Sequence, residues 1–207
     1  MEYLDIYDEA GNHIGKEERS LVHKNALWHK TVHAWLYDKL GNVYFQIRAE
    51  EGTLYTTASG HLQACDTVED AFAREIFEEI GLKIDSSDAI KVDVIKFILD
   101  RENKDGSMFR DRVFANIYID NFEGNIDEFN FDPNEVKGLV KVKASDVLDL
   151  FNEEKNSIKG IEITQKDEKN IETAKEFTIN DFLVNKGETA IGKYGDVLRK
   201  IIEVTKK

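Results

Sequence analysis

Cysteine and long apolar runs are both scarce in this chain. The single cysteine, Cys65, excludes an intrachain disulfide. The first residues carry neither the basic segment nor the apolar segment of a secretory signal peptide. No apolar run approaches the roughly 18 residues that a membrane-spanning helix needs. A cytoplasmic location is the resulting expectation.

Basic residues are also in the minority. The chain has 28 lysines and arginines against 41 acidic residues, which gives a formal net charge of −13. Nucleic acids and anionic membranes select basic surfaces, so neither is expected as a partner. An acidic protein can still bind a phosphate compound, provided that local arginines or bound cations offset its carboxylates.

What the chain does contain is typical of a packed globular protein. Hydrophobic residues make up 41% of its 207 positions and aromatic residues 10%, and its only proline is Pro133. With no repeat and no linker-like segment, the sequence predicts a single domain over residues 1–207. Residues 1–30 are expected to add an N-terminal hairpin extension, and residues 152–207 a C-terminal helical extension.

The order of periodic segments predicts an α/β (α+β) fold with a mixed β-sheet between helices. The clearest helix lies at 67–81, where Asp66 or Thr67 can cap the start and Gly81 can end it. Residues 152–175 are polar with little periodicity, which predicts a loop or a weak helix. The other expected elements are a hairpin at 4–15, strands at 31–38, 43–48, 90–100, 109–120 and 136–142, a polar turn at 101–107, a helix at 145–151 capped by Ser145, and an amphipathic helix at 192–207.

The predicted helix at 67–81 places carboxylates beside an apolar stripe. At about 100° per residue, Glu75, Glu78 and Glu79 share one sector, and the adjoining sector is apolar. Like charges at this spacing repel each other, and the repulsion grows as they become buried. Such a face is often merely solvated. Three convergent carboxylates beside a core also suit a hard divalent cation that reaches substrate phosphates.

The spacing around this helix decides between those interpretations. Residues 60–82 resemble the Nudix box, G-x5-E-x7-R-E-U-x-E-E-x-G-U with U aliphatic, at every fixed position except Asp66, where the family has glutamate. The resemblance implies a Nudix-type α/β/α sandwich in which Glu75, Glu78 and Glu79 hold Mg²⁺ or Mn²⁺. It also implies that Arg74 orients a glutamate and that Gly60 lets the preceding loop turn. The shorter Asp66 is expected to weaken turnover without removing the metal ligands.

The same resemblance implies hydrolysis of a diphosphate by a metal-activated water, with a glutamate accepting the proton. Glu75 or Glu135 could be that base, and Glu135 is also readable as an ordinary surface carboxylate. Arg48 ends a predicted strand facing the loop and could bind a phosphate, or could be an ordinary surface arginine.

Residues 3–145 further resemble the Nudix branch related to isopentenyl-diphosphate isomerase, on residues 11–15, 23–35 and 59–61. That enzyme uses a histidine-rich metal site, a cysteine directly before a Gly-His pair and acidic residues on a later strand. The resemblance makes His23, His29 and His61 a candidate second metal site; the alternative is that they bond the backbone or line a substrate pocket.

Two departures weigh against isomerase chemistry. Ser59 stands at the position of the isomerase cysteine, and a serine hydroxyl is a poorer proton donor and acceptor than a thiol. Arg110 and Arg112 occupy the later strand where the isomerase has glutamates, which favours phosphate binding there. Cys65, six residues after Ser59, is interpreted as an incidental free thiol.

Three functions therefore stay open. The favoured one is a divalent-metal-dependent Nudix pyrophosphohydrolase acting on a small nucleoside-diphosphate-type metabolite. The alternatives are an isopentenyl-diphosphate isomerase-like enzyme and a non-catalytic nucleotide-binding Nudix module, the latter suggested by Asp66 and Cys65 in the loop. The substrate would be read by variable loops within 49–58, 101–109 and 152–190, and a homodimer is one arrangement that the sequence leaves open.

Overall fold

The structure is a computed structural model that describes residues 2–102, 106, 108–167, 169–183 and 188–206. Eleven strands and four helices occur in these residues. The strands are β1 (Tyr3–Tyr7), β2 (His13–Glu18), β3 (Trp28–Tyr37), β4 (Asn42–Arg48), β5 (Leu54–Tyr55), β6 (Ala58–His61), β7 (Ile90–Glu102), β8 (Met108–Asn121), β9 (Val136–Lys143), β10 (Ile158–Lys166) and β11 (Lys169–Phe177). The helices are α1 (Arg19–Lys24), α2 (Val68–Ile80), α3 (Ala144–Phe151) and α4 (Glu188–Val204).

The strands form one mixed sheet, as the sequence predicted. Its main path runs β11-β10-β9-β4-β3-β1-β2. Strand β8 pairs in parallel with β3 over the whole length of β3, and β7 pairs antiparallel with β8. The parallel pair is buried on both faces, which is the usual requirement of parallel strands.

Side chains of β3 alternate between two cores, one on each face of the sheet. Val32, Ala34 and Leu36 pack with the apolar stripe of α2. Trp35 and Tyr37 pack on the opposite face with residues of α3 and α4. This alternation follows from the two-residue period of a strand. The helices thus cover both faces, and the predicted α/β/α sandwich is confirmed.

An opening in the sheet positions the loop before α2. Strands β3 and β4 pair directly only at Tyr37 and Val43, beside the turn that joins them, and then diverge. Strand β6 pairs with β3 on one side of the opening, and β5 pairs with β4 on the other. The chain that leaves β6 therefore enters α2 from the middle of the sheet, where its side chains can contact the core on either face.

One prediction was wrong. Residues 152–175, expected as a loop or weak helix, contain most of a hairpin in which β10 pairs with β9 and β11 pairs with β10. Strand β11 lies at the sheet edge and exposes nearly all its side chains, so its sequence lacks the apolar alternation of an ordinary strand. The region 152–207 is accordingly a hairpin followed by a helix, not a helical extension.

Several smaller differences concern element ends. The hairpin expected at 4–15 is present as β1 and β2, and the short helix α1 that follows it was not predicted. Helix α3 begins after Lys143 without a side-chain cap, so Ser145 is not its N-cap. Strands β7 and β8 remain paired as far as Glu102 and Met108, so the turn expected at 101–107 is shorter than predicted. Residues 103–105 and 107 of that turn lie outside the described residues. None of the described helices has both the length and the apolar character that crossing a bilayer requires.

Candidate active site

Helix α2 is held firmly at both ends. Thr67 caps its start: the Thr67 hydroxyl accepts the Asp70 N–H, and the Asp70 carboxylate accepts the Thr67 N–H in return. Gly81 ends the helix in the left-handed region, with φ of 75°, and donates its N–H to the carbonyl of Phe77. Such a reciprocal cap and glycine stop fix the register of the helix, and therefore the direction of its glutamates.

The three glutamates of α2 differ in exposure. Glu75 and Glu79 are buried, with 7% and 4% of their surface exposed, and both face the opening in the sheet. The Glu78 side chain is 56% exposed. A ligand bound here would thus meet two enclosed carboxylates and one at the solvent edge.

Arg74 connects the helix to the preceding loop through both terminal nitrogens of its guanidinium group. Nη1 lies 2.6 Å from Glu75 Oε1 and 3.2 Å from Glu78 Oε2. Nη2 donates to the His61 carbonyl at 2.8 Å and to Asp66 Oδ2 at 3.1 Å. The planar guanidinium therefore fixes the positions of two helix glutamates relative to the loop.

Asp66 reaches Arg74 although it is one methylene shorter than glutamate. The same Asp66 oxygen also accepts the N–H of Gln63, which closes the loop on itself. Cys65, beside it, adopts φ of 74°, a conformation that glycine adopts more readily, and it is exposed. The loop thus retains its tie to the helix.

Gly60 leaves room for the Glu75 carboxylate. A Cβ atom built on Gly60 would overlap the carboxyl carbon and both carboxyl oxygens of Glu75. A glycine is therefore required here by the close approach of backbone and side chain. The carboxylate is held against the loop backbone in a cradle that any other residue would fill.

Glu79 is bound from the other side of the opening. Gln46 Nε2 on β4 donates to Glu79 Oε2 at 2.9 Å, and the Ser59 N–H donates to the same oxygen at 3.2 Å. Sequence reasoning did not identify Gln46. The sequence did contain an indication of it, because Gln46 is a polar residue with apolar neighbours before and after it in the predicted strand.

Burial disfavours the charged forms of the two enclosed carboxylates. Burial raises the pKa of Glu75 to about 7, with the charges of Glu78 and Glu135 adding to the rise and Arg74 opposing it. Burial also raises the pKa of Glu79 well above its ordinary value, helped by Glu75 and Glu135. Two enclosed oxygen ligands with repelling charges fit a divalent cation, which would relieve both the desolvation and the repulsion.

A second cluster lies on the sheet face opposite α2. The ligand nitrogens of His23, His29 and His61 all lie within 4.8 Å of one another. Burial lowers the pKa of His23 and lowers that of His61 well below its ordinary value, so both imidazoles favour the neutral, metal-binding form.

Asp111 completes this cluster. Its Oδ1 lies 3.3 Å from His29 Nε2 and 3.7 Å from His23 Nε2. His29 Nδ1 lies 3.1 Å from the Leu27 carbonyl, which can only accept, so the ring is held with its Nε2 towards the Asp111 oxygen. Both atoms are buried without a hydrogen-bond partner among the described residues. An imidazole nitrogen and a carboxylate oxygen are both cation ligands, so this arrangement can accommodate a shared cation.

Strand β8 places the two predicted arginines, Arg110 and Arg112, apart from the histidine cluster. Arg112 pairs with both oxygens of Asp100 at 2.7 and 3.1 Å, and Arg110 is exposed. Both alternate with Asp111 along the strand, so they lie on the face away from the histidines. The structure brings Asp111, not the arginines, to the cluster. The signal was that Asp111 shares the face of the buried Val113.

The remaining predicted site residue, Arg48, lies at the end of β4. Its Nε is 2.9 Å from Glu51 Oε2, and its guanidinium lies 5.6 Å from the centre of the Tyr55 ring. The charge of Arg48 opposes the rise that burial causes in the pKa of Glu79. The glutamates, the histidines and Arg48 thus surround the opening between β3 and β4.

The chain is similar in sequence to known proteins. A family model described as the NUDIX domain matches residues 27–159. An uncharacterised Nudix hydrolase of Clostridium acetobutylicum is 29% identical over 214 residues, covering 98% of both chains. An isopentenyl-diphosphate Δ-isomerase of Cutibacterium acnes is 28% identical over 159 residues, covering 72% of this chain and 77% of that protein.

A solved structure supports the fold independently. A crystal structure from Deinococcus radiodurans superposes with a TM-score of 0.54 at 22% identity and covers 71% of this chain and 86% of its own. The family match spans β3, the loop with Gly60, helix α2 and strands β4 to β9, which hold the site residues except His23 on α1. The chain belongs to the NUDIX domain family, among the Nudix hydrolases.

Proposed function

We propose that this protein is a divalent-metal-dependent hydrolase that cleaves the diphosphate linkage of a small nucleoside-diphosphate-type metabolite. The observation that carries the proposal is the pair of buried carboxylates, Glu75 and Glu79, held against a glycine cradle beside Arg74. Burying two like charges close enough to repel each other is unfavourable unless a cation accompanies them.

Glu75, Glu79 and the more exposed Glu78 would hold Mg²⁺ or Mn²⁺, with Arg74 keeping Glu75 and Glu78 in place. When bound, such a cation neutralises the diphosphate and acidifies a coordinated water. Glu75 or Glu135 then accepts the proton of the attacking water; the charge of Glu135 raises the pKa of both buried glutamates, which supports its proximity. Arg48 binds a phosphate oxygen at the rim.

We further propose that His23, His29, His61 and Asp111 form a second cation site. Isomerisation of isopentenyl diphosphate is the second candidate function, favoured by this cluster alone. Ser59 opposes it, since an unperturbed hydroxyl does not exchange protons at the rate that a thiol of pKa about 8.5 allows. Conversion of isopentenyl diphosphate to dimethylallyl diphosphate, followed by proton NMR, tests it directly.

Other expectations accompany the proposal. The partner is a small-molecule diphosphate, with neither nucleic acid nor membrane involved, because the net charge of −13 disfavours both. A cytoplasmic location and a homodimer stay predictions.

Hydrolysis of a panel of nucleotide sugars, dinucleoside polyphosphates, coenzyme A, deoxynucleotides and isoprenoid diphosphates tests the proposed activity. With Mg²⁺ or Mn²⁺ present, we expect release of phosphate or of a nucleoside monophosphate. Glu79→Gln should lower kcat at least about 100-fold. Glu69→Gln, on the same helix but facing Tyr118, is the matched control and should keep near-normal activity. Full turnover by Glu79→Gln would refute the proposal.

A further inference from the structure

Arg74 holds one carboxyl oxygen on each of two glutamates of α2. Its Nη1 lies 2.6 Å from Glu75 Oε1 and 3.2 Å from Glu78 Oε2. Within the described part of the chain, no hydrogen bond reaches the second oxygen of either carboxylate. Each of these glutamates therefore offers a cation one oxygen that is free and one that is already engaged.

Glu79 shows the same division, made by different donors. The Gln46 amide on β4 donates to Glu79 Oε2 at 2.9 Å, and the Ser59 N–H donates to the same oxygen at 3.2 Å. No donor among the described residues bonds Glu79 Oε1. An oxygen that accepts two N–H bonds has both of its lone pairs in use, so Oε1 is the ligand atom that Glu79 can offer.

The orientation of the Gln46 amide follows from the contact with Ser59. A backbone N–H can only donate, so Glu79 Oε2 must be an acceptor, and Gln46 must direct its NH₂ group towards that oxygen. Gln46 is 2% exposed and Glu79 is 4% exposed, and the strand that carries Gln46 is paired on both sides, with β5 and with β9. The hydrogen bond therefore limits how far the carboxylate can turn.

The number of oxygens that a carboxylate presents distinguishes the common hard cations. Ca²⁺ takes about six to eight oxygen ligands in a flexible geometry and often uses both oxygens of one carboxylate. Mg²⁺ requires a compact octahedral arrangement and usually keeps several waters, and Mn²⁺ shares its preference for octahedral oxygen ligands. Three carboxylates with one free oxygen each thus suit Mg²⁺ or Mn²⁺ and are a poor ligand set for Ca²⁺.

We propose that Gln46 is a positioning residue that restricts Glu79 to ligation through one oxygen, and that this restriction makes the α2 site select Mg²⁺ and Mn²⁺ against Ca²⁺. The inference rests on the cation site of the proposed function and adds the origin of its selectivity. Gln46 is the donor that tests it most cleanly, because Ser59 donates from the backbone and Arg74 also contributes charge.

Gln46→Met and Gln46→Leu both replace the amide with apolar atoms of similar volume. Both are made in the His61→Ala chain, so that bound Mn²⁺ reports the α2 site and not the histidine cluster. Mn²⁺ is displaced by Mg²⁺ in one titration and by Ca²⁺ in another, each followed by electron paramagnetic resonance. With Glu79 Oε2 held only by the longer bond from Ser59, the affinity for Ca²⁺ should rise about tenfold relative to that for Mg²⁺, a change typical of one hydrogen bond to a charged group.

Asn116→Leu, in the same His61→Ala chain, is the matched control. Asn116 is a buried amide on β8 that donates to the carbonyls of Thr31 and Phe114 and to no carboxylate. Its loss should lower stability in urea unfolding, as the loss of Gln46 should, but the ratio of Ca²⁺ affinity to Mg²⁺ affinity should stay within about twofold of the parent value. A merely structural role for Gln46 predicts that all three variants keep this ratio.

The outcomes separate this inference from the proposed function. A ratio within about twofold of the parent value in both Gln46 variants, or an equal change in Asn116→Leu, would overturn the role of Gln46 and leave the cation site intact. The expected change of ratio in a protein that cleaves no diphosphate would support Gln46 and overturn the hydrolase. Absence of Mn²⁺ binding by the His61→Ala chain would overturn both.

Discussion

Gly60 and Glu75 occupy adjoining space so closely that a methyl group on the glycine would overlap the carboxylate. The loop backbone and the helix side chain are therefore built as one unit, with Arg74 tying them from the solvent side. Displacing the carboxylate from this cradle should affect cation binding before it affects the fold.

Gly60→Ala should accordingly weaken Mn²⁺ binding and lower kcat by at least about tenfold, because a misplaced ligand loses most of its contribution. The cost in stability should be about 1–3 kcal/mol, typical of overpacking a buried position. Titration with Mn²⁺ followed by electron paramagnetic resonance measures the first effect, and urea unfolding measures the second.

Gly195→Ala is the control for that substitution. A Cβ at Gly195 would meet the end of the Arg199 side chain at 3.4 Å and Leu148 Cδ1 at 3.7 Å, which are ordinary van der Waals distances, and the residue lies within α4. Alanine in a helix interior should raise stability by up to about 1 kcal/mol and leave Mn²⁺ binding unchanged. Equal loss of Mn²⁺ binding in both variants would remove the special role of Gly60.

Asp66 should matter through Arg74. Asp66→Ala removes one acceptor from the Arg74 fork, so Glu75 loses part of its support, and kcat should fall about tenfold. The loss of stability should be small, about 1 kcal/mol, because the ion pair is partly exposed. Asp66→Glu restores the residue that the family motif carries and should match or exceed wild-type kcat; a glutamate variant as impaired as the alanine variant would contradict this role.

The histidine cluster should hold one cation of its own. His61→Ala should lower the number of tightly bound Mn²⁺ or Zn²⁺ ions per chain by one, counted by equilibrium dialysis and metal analysis, because three nitrogens within 4.8 Å become two. His13→Ala is the control, since His13 is exposed on the first hairpin, where it contacts Asp5 and the edge of the Tyr7 ring. An unchanged count in His61→Ala would show that the cluster is not a metal site.

His33 should make stability depend on pH. Its pKa falls from 6.5 in the unfolded chain to about 4 in the fold because burial disfavours the charged ring. The unfolded chain therefore binds the extra proton first, and stability is lost as pH falls from 6.5 towards 4. At pH 5 the loss should be about 2 kcal/mol relative to neutral pH.

His33→Gln should lack the pH-dependent loss of stability that His33 causes. The difference in unfolding free energy between pH 7.5 and pH 5, measured with urea, should be smaller in the variant by about 2 kcal/mol. The low pKa values of His23 and His61 contribute equally in both proteins and cancel. Parallel pH profiles for wild type and variant would contradict the buried neutral state of His33.

The sequence was sufficient for the parts of the fold whose signals are local. The helix with Glu75, Glu78 and Glu79 has its own N-cap, its own apolar stripe and its own C-terminal glycine. Its bounds and its carboxylate face could therefore be predicted closely. Strand β11 could not, because an edge strand held by backbone pairing needs no apolar side chains and its sequence shows none. Its pairing with β10 depends on the position of β9, which no local pattern reports.

The same contrast applies to the site. Asp111 was missed because the prediction considered only the two arginines beside it. Strand alternation would have assigned Asp111 to the buried face of Val113, and both arginines to the other face. Gln46 was missed for a different reason. It lies 33 residues before Glu79 in the sequence, and the two meet only because α2 packs on the sheet beside β4.

The most direct measurement is the fate of water oxygen during turnover. The protein is incubated with Mg²⁺ and the best diphosphate substrate of the panel in ¹⁸O-enriched water, and the masses of the products are measured by mass spectrometry. Metal-dependent hydrolysis at the α2 glutamates predicts one ¹⁸O atom in a phosphate product, abolished by a chelator and by Glu79→Gln. Unlabelled isomerised product, or nucleotide bound without any cleavage, would contradict it.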